Sequence, residues 1–169
     1  MKILFLHGLE GGPSNYQQMA LLAHGEVIYP LIKYRTSTDP YQDLFSIAQD
    51  RKCDVIIGLG LGGLFAFYLS CNMNVPCLII NPMLPTSNDT ILFPEQRSKR
   101  TQYLQVVLGK DDLLVNANDR LLFLENNNHD QFNYSIHLIN QAASKLTLSE
   151  FRLELSTFFN IVNFKRNRY

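Results

Sequence analysis

Apolar residues fall in short solid runs: Ile3-Leu4-Phe5-Leu6, Val27-Ile28-Tyr29, Val55-Ile56-Ile57, Cys77-Leu78-Ile79-Ile80 and Val106-Val107-Leu108. Runs of this length without polar alternation mark strands covered on both faces. They predict strands at about Lys2–Leu6, Val27–Tyr29, Asp54–Gly58, Cys77–Ile80, Tyr103–Leu108 and Tyr134–Ile139. Between them the apolar spacing turns helical, at about Asn15–Ala23, Pro40–Asp50, Gly62–Asn72, Asn118–Asn126 and Ser149–Phe159. Ser14 and Asp39-Pro40 are good helix starts, and Ser149 with Glu150 and Glu154 puts acids in the first turns of the last helix. Strand and helix alternate throughout, which predicts an open, mostly parallel sheet with helices on both faces. Pro82–Arg100 carries three prolines and no clean period, so it reads as an excursion off the sheet.

Composition narrows the class. At 169 residues, residues 1–169 are expected to form one domain. Formal net charge is zero and the pI is near 6.9, so no overall field favours nucleic acid or an anionic membrane. The basic residues at 164–169 read as a short solvated tail. Cys53, Cys71 and Cys77 have no metal-ligand spacing, and Cys71 and Cys77 read as core residues. The run Ile3–Leu6 is too short for a signal sequence and His7 interrupts it. No stretch approaches the ~20 apolar residues of a membrane helix. The expectation is a cytoplasmic protein that engages neither membrane nor nucleic acid.

Candidate chemistry centres on Gly58-Leu59-Gly60-Leu61-Gly62-Gly63, directly after a strand. This has the shape of a nucleophile elbow, G-x-S-x-G, with Gly60 in the serine's place. The elbow position is strained, at roughly 1–3 kcal/mol for a residue with a Cβ, and glycine takes it almost freely. Gly60 is therefore expected at positive φ, with a helix starting immediately after it. The glycines also resemble a dinucleotide loop, but such a loop follows the first strand of a βαβ unit and carries an acid about 20 residues on, and no acid stands at that distance. The first strand ends in Leu6-His7-Gly8-Leu9, and Gly11-Gly12-Pro13-Ser14 follow. Such a turn lets backbone N–H groups approach an oxyanion, which makes His7, Gly8, Leu9 and Leu61 candidate cleft residues. A plain strand-to-helix connection would look the same.

Three stretches together carry a resemblance: Leu6-His7-Gly8-Leu9-Glu10 with Pro13-Ser14, Ile57 to Gly63, and Val75-Pro76-Cys77-Leu78-Ile79-Ile80-Asn81-Pro82. In order and spacing the chain resembles a small α/β-hydrolase of the YqiA-like esterase group. The resemblance implies a three-layer α/β-hydrolase fold without a large cap domain. It also implies a Ser-His-Asp triad and hydrolysis of small acyl esters or thioesters, with no cofactor. Carried onto this chain, the nucleophile position is Gly60 and the serine is absent. The acid is Asp112, in Gly109-Lys110-Asp111-Asp112-Leu113-Leu114-Val115, with Asp111 as the near alternative.

The histidine position has two solutions. His129 lies in a loop, but close behind Asp112. The alternative register keeps a helix and a strand between them and falls in Asn140–Lys145, on Ser144. That register is preferred, because it retains every element of the fold. His24 then reads as a capping or surface residue and His137 as a strand residue facing one side of the sheet edge. No His/Cys/Asp cluster has zinc spacing, so no metal is expected. Three functions stay open. The first is a pseudoenzyme that binds a small acyl-type ligand or a protein partner. The second is a weak hydrolase working through a His129–Asp112 dyad. The third is an esterase whose serine has been replaced.

Overall fold

The computed structural model describes residues 1–9, 12–83, 93, 102–110, 116–127, 133–140 and 146–166. Among the described residues, six strands alternate with five helices: β1 (Lys2–Leu6), α1 (Asn15–Leu22), β2 (Glu26–Ile28), α2 (Pro40–Asp50), β3 (Val55–Leu59), α3 (Leu61–Met73), β4 (Cys77–Ile80), β5 (Leu104–Gly109), α4 (Ala117–Asn127), β6 (Tyr134–Ile139) and α5 (Leu148–Arg166). The strands form one sheet in the order β2-β1-β3-β4-β5-β6, and every pairing is parallel. The connection from β4 to β5 is too short to hold a large cap domain.

Burial explains the sequence pattern. The central strands β3, β4 and β5 are buried along nearly their whole length, so no polar alternation appears in them. On one face, Leu4, Leu6, Ile56, Ile79, Val106 and Leu108 pack with α2, α3 and α4. On the other, Ile3, Phe5, Ile57, Leu78, Ile80 and Val107 pack with α1 and α5. The result is three layers. Helix α3 is buried nearly all round, as a helix without a polar face must be. Phe93 packs on Tyr41, Phe65 and Tyr68; the rest of the expected excursion past Met83 lies outside the described residues.

The start signals act as expected at two helices. Ser14 and Gln17 form a capping box on α1, and Asp39 accepts from the Gln42 N–H at the head of α2. Helix α5 departs at both ends. Its capping partner is Thr147, whose hydroxyl and N–H pair with Glu150, so the helix begins before Ser149. It then runs on through Lys165 and Arg166, because the apolar stripe Phe151, Leu155, Phe158, Val162 continues onto the sheet. These two cations, expected in a solvated tail, end the helix against the strands. The Arg166 guanidinium lies 2.5 Å from Asp54, and Lys165 reaches the Asn133 side chain.

Candidate functional site

The sheet reverses direction of growth between β1 and β3. At such a switch point the carboxyl ends of neighbouring strands open a crevice. Leu6 of β1 lies beside Gly58 of β3, so His7-Gly8-Leu9 and Leu59-Gly60-Leu61 leave the sheet side by side. Gly60 has φ +54° and ψ −121° and sits at the N-cap of α3. Positive φ and an immediate helix start are what the strand-to-helix turn required.

The glycines here answer to two different demands. A Cβ on Gly62 would lie 2.3 Å from the Leu6 carbonyl oxygen and 2.4 Å from that of His7. Its absence lets the first turn of α3 press against the end of β1. Among the described residues, a Cβ on Gly60 would meet nothing nearer than Gly8 Cα at 3.8 Å, an ordinary contact. Against those neighbours Gly60 is set by its dihedral and not by crowding.

Hydrogen bonds brace the turn from behind. The Gly60 N–H donates to Ile80 O at 3.0 Å, and its carbonyl accepts from Gly63, Leu64 and Met83. Asn81 takes φ +48°, donates its N–H to Val107 O at 2.8 Å and accepts the Gly109 N–H on its side chain at 3.2 Å. Pro82 O accepts from Nε of Arg120 at 2.8 Å. The Asn-Pro pair after β4 thus ties the elbow to the end of β5 and to α4. Arg120 is only 2% exposed. Sequence reasoning missed it, because it stands among polar residues of α4 and nothing in the spacing separates a buried arginine from a solvated one.

On the β1 side, His7 Nδ1 lies 2.7 Å from Gly8 O, so the ring pins the peptide that follows it. The His7 carbonyl accepts the Tyr34 hydroxyl at 2.7 Å. Burial raises the Tyr34 pKa far above the usual phenol range, which keeps that hydroxyl a donor. Leu9 is exposed and Leu61 buried. A cavity of about 230 Å³ opens beside Leu9, with Lys33, Tyr34 and Arg35 on its wall. Gly60 offers α3 no side-chain cap. Among the described residues the helix end therefore presents uncapped N–H groups and a partial positive charge. Such a site suits a carbonyl or carboxylate oxygen.

The other candidates separate. Asp111, Asp112, His129 and Ser144 lie outside the described residues. His24 is more than a surface residue: its ring stacks on Phe159 at 4.3 Å, tying α1 to α5. His137 faces α5, with Nδ1 2.6 Å from Glu154. The three cysteines are buried and unbridged. Burial, aided by neighbouring Asp54, pushes the Cys53 thiol up to about 11. Among the described residues no group of His, Cys, Asp and Glu could hold a metal. No described helix is long and apolar enough to cross a membrane.

Known proteins fit this geometry. No curated protein matches the sequence. A member of the alpha/beta hydrolase superfamily from Xanthomonas campestris pv. campestris superposes with a TM-score of 0.68 at 15% identity, covering 94% of this chain and 98% of that one. Est1E from Butyrivibrio proteoclasticus with bound ferulic acid gives 0.69 at 12% identity, covering 94% and 87%. The alpha/beta hydrolase MGS-MChE2, from the metagenome of sediments of the Mar Chica lagoon in Morocco, gives 0.71 at 16% identity, covering 96% and 91%. At such identities the likeness is one of fold. Residues 2–102 match the model of the Uncharacterised protein family UPF0227. The chain belongs to that family, the YqiA-like group, and has the α/β-hydrolase fold.

Proposed function

We propose that the cleft between His7-Gly8-Leu9 and Gly60-Leu61 is a binding site in a hydrolase scaffold that lacks its nucleophile. The carrying observation is Gly60 itself: it has elbow dihedrals at the switch point, no clash among the described residues for a side chain there, and no hydroxyl. A serine oxygen has no chemical substitute in a hydrogen atom, and loss of a triad member removes most of the rate. In this reading Asp112 holds the ancestral acid position and Ser144 the histidine position, so the base is gone too.

The ligand class follows from the site. Uncapped N–H groups of α3 receive an acyl or carboxylate oxygen, and Leu9 with the adjoining cavity receives its apolar part. A small carboxylic acid or acyl compound fits, in keeping with ferulic acid bound to the Est1E fold. A protein partner presenting an acyl group or a carboxylate side chain is the larger version of the same ligand. Titration of isotopically labelled protein with small aromatic and aliphatic carboxylic acids tests this. Shifts confined to Gly8, Leu9, Leu61 and Gly62 amides are expected. Steady ester turnover abolished by His129→Ala would instead establish a His129–Asp112 dyad and overturn the binding reading.

A further inference from the structure

A second group of reactive side chains lies on the α5 face of the outermost strand. We propose that Ser135, backed by His137 and Glu154, is a nucleophile that accepts an acyl or phosphonyl group from activated esters. Neighbouring sites on one face of β6 carry Ser135 and His137, because alternate strand residues point the same way. Ser135 Oγ is 3.4 Å from His137 Nε2, and His137 Nδ1 is 2.6 Å from a Glu154 carboxylate oxygen. The serine contact is long, as nucleophile–base contacts often are without substrate. The order of groups is hydroxyl, imidazole, carboxylate, the arrangement that activates a serine whatever the fold.

The surrounding bonds fix the tautomer. Gln105 donates from Nε2 to the same Glu154 oxygen at 2.7 Å and to the Glu154 backbone carbonyl at 3.1 Å. A carboxylate so held accepts a hydrogen bond from Nδ1–H of His137. That leaves the Nε2 lone pair facing Ser135. On the other side the Tyr103 hydroxyl lies 2.6 Å from Ser135 Oγ. Burial raises the Tyr103 pKa, so the phenol keeps its proton, which it donates to Gln105 Oε1 at 3.3 Å, and the Tyr103 oxygen holds the Ser135 hydroxyl in place from that side.

Access is available. Strand β6 ends the sheet, the His137 side chain is 31% exposed, and Ser135 is half-buried. A groove of about 820 Å³ leads to Tyr103 and Asn133, with Val75, Gln102, Phe164 and Lys165 among its walls. In the reaction Ser135 Oγ bonds to the acyl carbon or phosphorus while its proton passes to His137 Nε2. The leaving group departs with the electron pair of the broken bond. An alkoxide then takes the proton from Nε2; a fluoride leaves as the anion and the proton goes to water.

This site is independent of the Gly60 cleft, so either reading can fail without the other. The test is incubation of the native protein with a fluorophosphonate, followed by intact mass and fragment mapping. One adduct per chain is expected on Ser135, distinguished by fragmentation from Ser144. It should be absent from Ser135→Ala and from urea-unfolded protein. His137→Gln should slow labelling about 100-fold or more, the usual worth of a general base, with folding checked by circular dichroism. No adduct on folded protein, an adduct elsewhere, or labelling equal in the unfolded chain overturns the proposal; wild type and Ser135→Ala decide it even if His137→Gln does not fold.

Discussion

Gly60 and Gly62 are two residues apart in sequence and opposite in constraint. Gly62→Ala drives a Cβ to 2.3 Å from a backbone carbonyl that cannot move without disturbing β1. Overpacking of this kind typically costs about 1–3 kcal/mol, and this substitution should lie at or above the upper end. Gly60→Ser meets no clash among the described residues and suffers its dihedral, so unfolding in denaturant should show no change or a loss of roughly 1–2 kcal/mol. The single Gly60→Ser change should not restore turnover of p-nitrophenyl esters at this cleft. A serine without an adjacent base does not attack an acyl carbon at neutral pH. Gly60→Ser combined with Ser144→His is the informative double variant. Robust hydrolysis by the single variant, lost on His129→Ala, would place the base on His129 instead.

Between elements, two contacts among the described residues respond to pH. His24 stacks on Phe159, and burial lowers its pKa below the ordinary histidine value of 6.5. The neutral ring is the one that packs. Its contribution is complete above about pH 7 and declines as pH falls from the ordinary histidine range through the lowered folded value. His24→Phe should flatten the dependence of the melting temperature on pH in that window. Asp54 works further down the scale. Burial opposes its charge, but the Lys2 N–H at 2.7 Å and Arg166 at 2.5 Å outweigh it, and its pKa lies below the usual carboxylate range. That contribution is present above about pH 4 and is lost as pH falls through the folded value. The pair is largely solvated, so Arg166→Ala should cost no more than about 1 kcal/mol, and the cost should vanish in strong acid.

Across the whole molecule, the sheet and all five helices were legible because burial on both faces writes itself as unbroken apolar runs. Ile56-Ile57 and Leu78-Ile79-Ile80 admit little else. The elbow was legible because positive φ selects glycine. What stayed hidden was long-range pairing. Arg120 on Pro82, Lys165 on Asn133, and Glu154 on His137 join residues that no local period connects. The extra turns of α5 were missed because Lys165 and Arg166 look the same in a tail and at a helix end, where their charge suits the dipole. The constraint at Gly60 also bears on descent. Two glycine codons lie one base from a serine codon, and among the described residues a side chain at position 60 forces no neighbour to repack. Under the proposed reading, loss of the nucleophile is a short, reversible evolutionary step, whereas a side chain at position 62 would clash with the end of β1. Aligned sequences of the UPF0227 family should therefore vary between glycine and serine at position 60 while keeping glycine at 62.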